Sequence, residues 1–145
     1  MQSKNALVKM LQTHKATEAS MVITCAKLEQ QVHTAAAKLL LAEMRLDSQK
    51  HENILKEILL VLEGQAKPVN LWDARIQSFV DTQVMRKELE RHIKLETVML
   101  ENVEKEIRES DDEAVKTLLT HIAEDEKKHH KNIELIIRKS YAFTP

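Results

Sequence analysis

Shifted against itself by 78 residues without a gap, the chain matches at 13 of 50 positions between residues 11–60 and 89–138. Chance gives about one match in fifteen positions at average composition. The identities include Leu11/Leu89, His14/His92, Glu18/Glu96, Met21/Met99, Leu40/Leu118, Leu41/Leu119, Asp47/Asp125, Lys50/Lys128, His51/His129 and Ile58/Ile136. They recur mostly at steps of three and four or their sums, the spacing that keeps side chains on one face of a helix. The chain therefore reads as two related helical hairpins. Two hairpins with one apolar stripe each bury those stripes best against each other, so the expected fold is an all-α four-helix bundle with approximate two-fold symmetry.

A single Gly and two Pro leave long stretches with nothing to interrupt a helix. Hairpin 1 is expected over about residues 3–64, a crossover over about 65–82 and hairpin 2 over about 83–140. The first helix runs from Ser3, a candidate N-cap, to about Gln31. Its stripe is Leu7, Leu11, Met21, Val22, Cys25, Leu28 and Val32, with His14 and Glu18 on the same face. A turn at His33-Thr34 leads into a second helix, Ala35 to Glu63, with Gly64 as its C′ residue. There the stripe is Leu40, Leu41, Met44, Ile54, Leu55, Ile58, Leu59 and Leu62, interrupted by Asp47, Ser48 and His51. The last helix opens on Ser110-Asp111-Asp112-Glu113, which reads as a capping box, and runs to about Lys139.

The third helix ends near Arg108, with two readings of its start. Asn70 and Asp73 are candidate caps for a helix through Trp72, Ile76, Phe79, Val80 and Val84. A continuous helix from Asn70 to Arg108 would be about 58 Å long, well beyond its neighbours. Either residues 70–80 form a separate short helix within the crossover, or the long helix is real and the halves pair across a dimer. Trp72 then caps one end of the core or sits at the dimer contact.

The chain has 145 residues, a one-domain length, and a net charge of -1 with 3% aromatic residues. That balance argues against nucleic acid as a partner. One Cys excludes a disulfide framework, a zinc ribbon and a rubredoxin-type iron site, so Cys25 is expected to be a small buried hydrophobe. The sequence has neither a bilayer-length apolar run nor a signal-peptide core, and the expected location is cytoplasmic.

The polar groups on the stripes carry the chemistry. Two-fold pairing would draw Glu18, Glu96, Glu126, His51 and His129 towards one point. Three buried carboxylates require positive charge, and a metal ion supplies it. Glu from two helices, with Glu-x-x-His from the others, is the ligand pattern of di-iron and di-manganese carboxylate bundles. At Glu18, Glu96, Asp125-Glu126-x-x-His129 and Asp47-x-x-x-His51, the chain resembles the ferritin-like superfamily, especially its rubrerythrin-like branch.

The resemblance implies that Glu126 bridges two ions, Glu18 and Glu96 bind terminally, and His51 and His129 hold one ion each. It also implies that Asp47 and Asp125 each hydrogen-bond the metal-bound His of the opposite motif, orienting the imidazole. Ser48 stands where the family carries a second bridging Glu. Three carboxylates leave one positive charge of two divalent ions uncompensated, which weakens the second ion unless another anion fills the gap. Asp47 is a poor substitute, being rotated about 100° around the helix.

His14 and His92 each precede a ligand Glu by four residues. They are either further ligands, shifting the site towards zinc, copper or cobalt, or hydrogen-bonded core histidines. His33, His121 and His130 are expected to face solvent, Met21 and Met99 to pack in the core, and the rest of the charge run Glu124–Lys131 to be solvated.

The resemblance implies a centre holding one or two iron ions, or alternatively zinc or manganese, and reacting with oxygen or peroxide. Electrons would come from a separate donor. Cage storage is not expected, because the fifth helix of cage ferritins is lacking. The competing expectation is a non-catalytic bundle with a single or degenerate metal site. The oligomer expected is a homodimer, with exchange of hairpins as one form.

Overall fold

The computed structural model describes residues 4–64 and 79–140. Residues 65–78 of the expected 65–82 crossover, Trp72, the Ser3 cap and the 141–145 tail lie outside the described residues, and residues 79–82 already belong to a helix. So does the stretch that would decide whether 70–108 is one helix. Four α-helices are described and no strand: α1 (Lys4–Gln31), α2 (Ala35–Glu63), α3 (Phe79–Glu109) and α4 (Glu113–Ser140). The helices fall into two compact units, α1 packed on α2 and α3 packed on α4.

In each hairpin the buried residues form a narrow seam. Between α1 and α2 these are Glu18, Cys25, Ser48, Leu55 and Leu59. Between α3 and α4 they are Glu96, Ala123, Glu126 and Ile133. The steps 18→25, 48→55→59 and 123→126→133 are sevens, threes and fours, the spacing by which facing helices interdigitate. Glu18, Glu96 and Glu126 are thus placed by the same register that buries the apolar residues.

Thr34 caps α2, its hydroxyl accepting from the Ala37 N–H at 3.1 Å. Gly64 closes that helix with φ -74°, right-handed backbone rather than a left-handed C′ turn, and its N–H donates to Leu60 O at 3.2 Å. The cap of α4 is Asp112, not Ser110. Asp112 Oδ1 accepts from the Val115 N–H at 2.9 Å, while the Ser110 N–H still donates to Glu106 O at 3.0 Å and so belongs to the end of α3. Arg45 clamps α2 to α1 by donating from Nε at 2.7 Å and from its terminal NH2 at 3.3 Å to the two oxygens of Glu29.

Seven residues of the expected core stripe, Leu7, Met21, Leu28, Met44, Ile54, Ile58 and Met99, are 38–49% exposed. Met21 and Met99, expected in the core, are thus left open by their own hairpins. A helix pair has one seam, and side chains a step off it remain open to solvent.

Candidate metal centre

Glu96, Glu126 and His129 each offer a ligand atom within 4.8 Å of the other two. The α3 register places Glu96 in the seam, and one turn of α4 presents Glu126 and His129 on the facing side. His129 Nδ1 lies 3.8 Å from Glu96 Oε1 and 3.9 Å from Glu126 Oε2. Both separations are longer than hydrogen bonds, which end near 3.5 Å.

Glu96 and Glu126 are respectively 6% and 9% exposed, and the Oε2 atom of each is buried without a hydrogen-bond donor. The facing Glu126 carboxyl holds Glu96 below the usual carboxylate range, helped by the His92 imidazole and opposed by burial. The same contact pushes Glu126 up, and burial and the charge of Glu96 add to it. Two such carboxyls at close quarters hold either a proton or a cation between them. A depression of about 300 Å³ lined by Glu96, Leu100, Glu126 and His130 opens beside the pair.

No family model, curated protein or solved structure matches this chain. The site's chemistry therefore rests on its own residues.

In hairpin 1, Glu18 is buried and its Oε2 also lacks a donor. Its Oε1 lies 3.5 Å from His51 Nδ1 and 3.4 Å from His14 Nε2. Ser48 is 4% exposed, in the seam position that corresponds to Glu126 at the 78-residue offset. Within its own hairpin, each of the five expected ligands thus lies near another. His92 joins them, its Nε2 3.0 Å from Glu96 Oε1.

The expected roles of Asp47 and Asp125 have no counterpart inside either hairpin. Asp47 is exposed, and Asp125 Oδ1 pairs with Lys128 Nζ at 3.7 Å. His33 is exposed, whereas His121 and His130 are half-buried, His130 Nε2 lying 3.2 Å from Glu134 Oε1. Cys25 is buried as expected.

The residues present fit a divalent cation. Three buried carboxylate oxygens without donors are the kind of orphaned charge that a metal ion satisfies, and half-exposed imidazoles beside each supply nitrogen ligands.

Proposed function

We propose that this chain is a metal-binding ferritin-like protein with a carboxylate–histidine centre that handles ferrous iron with oxygen or peroxide. The observation carrying this reading is the set Glu96, Glu126 and His129, with buried carboxylate oxygens that no protein donor satisfies. In the proposed centre, Glu96, Glu126 and His129 hold one ion and Glu18 and His51 contribute to a second. Bound iron would supply electrons for reducing the oxidant, and an external donor would restore them. Asp47 and Asp125 would orient the imidazole of the opposite motif once the hairpins are paired in a duplicated four-helix bundle.

Supporting the bundle and a homodimer, with hairpin exchange as one form, are the apolar residues that each hairpin leaves open, among them Met21, Ile58 and Met99. The oligomer would cover them. No helix among the described residues is long and apolar enough to cross a membrane.

A specific observation favours a second reading. Ser48 is buried where hairpin 2 has Glu126, so one hairpin offers a carboxylate fewer. A non-catalytic bundle with a single metal ion follows if that loss removes the second ion. Anaerobic loading with ferrous iron, elemental analysis and the absorbance change on adding oxygen or peroxide test the two readings. Two irons per chain with a new near-ultraviolet band support the oxidant-handling centre. One iron or fewer without a spectral change supports the quieter bundle.

A further inference from the structure

Both hairpins contain one arrangement of three side chains that involves more histidines than the five-residue centre uses. In hairpin 1, Glu18 Oε1 lies 3.4 Å from His14 Nε2 and 3.5 Å from His51 Nδ1. In hairpin 2, Glu96 Oε1 lies 3.0 Å from His92 Nε2 and 3.8 Å from His129 Nδ1. The same ring atoms are used each time: Nε2 one turn before the Glu on its own helix, and Nδ1 from the facing helix.

These imidazole contacts leave part of each carboxylate unsatisfied. Both nitrogens address Oε1, while Oε2 of Glu18 and of Glu96 is buried with no donor. Each Glu side chain is about nine-tenths buried, 11% and 7% exposed, so water does not make up the deficit. A cation within the triad compensates the whole carboxylate. In each set both imidazole nitrogens approach one Oε1 atom, and among the described residues Glu96, Glu126 and His129 already offer ligand atoms all within 4.8 Å of one another. All four imidazoles are 50–56% exposed, and closing each set on one ion requires rotation of His14 and His92 about χ1 and χ2, which their exposure leaves room for.

We propose that each hairpin holds its own divalent ion in an imidazole-rich set, His14–Glu18–His51 in hairpin 1 and His92–Glu96–Glu126–His129 in hairpin 2. The proposal rests on the metal-binding reading above and changes the meaning of Ser48. Hairpin 2 supplies four protein ligands, the count of a closed structural site. Hairpin 1 supplies three, because a buried Ser rather than Glu stands at 48, and three ligands leave a coordination position open to water or a substrate. Two nitrogens per ion favour zinc or cobalt(II) over the all-oxygen preference of magnesium or calcium. Under this arrangement Ser48 is the residue that opens a site.

Cobalt(II), added to the full-length metal-free chain, tests this by its visible spectrum, its stoichiometry and the paramagnetically shifted imidazole N–H signals in proton NMR. Two cobalt ions per chain and shifted signals from four imidazoles are expected. His14→Ala should weaken the hairpin 1 ion and His92→Ala the hairpin 2 ion. Each loss should be at least the roughly 10–100-fold that losing an outer partner of a ligand costs. Glu126→Gln should weaken the hairpin 2 ion alone. Both His positions are half-exposed, and unchanged helical circular dichroism would establish that the variants fold.

Shifted signals from two imidazoles only, with His14→Ala and His92→Ala binding cobalt as tightly as wild type, would overturn the proposal and leave the five-ligand centre standing. Wild-type protein that takes up no cobalt, zinc or ferrous iron would overturn both.

Discussion

Glu126 on α4 and Glu96 on α3 bring carboxyl oxygens within 4.8 Å of each other, and the Oε2 atom of each is buried without a donor. The contact lies in the seam of a hairpin whose other buried residues include Ala123 and Ile133. Such a pair costs folding energy unless something positive is held between its members, and a single proton is the least that will do. The metal-free chain therefore has a pH dependence that a bound metal should remove.

Glu126 has a raised affinity for its proton in the folded chain. Its stabilising contribution is fully present below the unfolded glutamate pKa and is lost as pH rises through the raised value. Glu96 is shifted the other way, so its contribution is present above the unfolded pKa and is lost as pH falls through the depressed value. Urea unfolding of metal-free protein should show a stability maximum between those limits. Glu126→Gln, which keeps a donor for Glu96 and has no proton to lose, should flatten the alkaline limb. An unchanged limb in that variant would place the titration elsewhere.

Ser48→Glu should have opposite effects on metal-free and metal-loaded protein. Without metal it buries a further carboxylate in the seam that holds Glu18, destabilising the fold by on the order of 3 kcal/mol. With metal it adds a ligand to hairpin 1 and should raise the affinity of that hairpin's ion. Thermal unfolding with and without zinc reads both effects. A variant equally destabilised in both conditions would show that position 48 does not face the metal.

The cap of α4 separates two neighbouring residues. Asp112→Ala should cost about 1 kcal/mol, because Asp112 Oδ1 satisfies the Val115 N–H. Ser110→Ala should stay within about 0.5 kcal/mol. Chemical denaturation of the two variants reads the difference, and a larger loss at Ser110 would reverse the assignment.

Replacing Ile58 or Met99 with Ser should leave hairpin helicity intact and weaken self-association, since both side chains are exposed in the chain as described. Sedimentation equilibrium gives the mass, and a mass unchanged across concentration would show that these residues do not lie at the contact between copies.

Much of the fold could be read from spacing. The helix ends at Gln31, Ala35 and Glu63 fall where the apolar stripes and the His33-Thr34 turn put them, because long uninterrupted stripes leave little choice. Local capping was less legible: Ser110-Asp111-Asp112-Glu113 offers several oxygens, and only the backbone path shows that Ser110 still belongs to α3. A stripe broad enough for a bundle includes Met21 and Ile58, whereas the seam of one hairpin covers a narrower line and leaves both exposed.

At the candidate centre, the 78-residue offset singles out Glu18, Glu96, His51 and His129, and the Glu-x-x-His spacing adds Glu126. Periodicity also marked His14 and His92, but it could not say that both imidazoles would address the same Oε1 atom as the histidine of the facing helix. That depends on which ring nitrogen faces inward, and side-chain rotation is not written in sequence spacing.

Metal binding by the buried carboxylates of this chain is read by equilibrium dialysis of ferrous iron, under argon, against wild type, Glu96→Gln and Glu126→Gln. Wild type should retain at least one iron per chain, and both variants should lose affinity by about 100-fold or more. No retained iron in wild type, or equal retention in all three proteins, would contradict it.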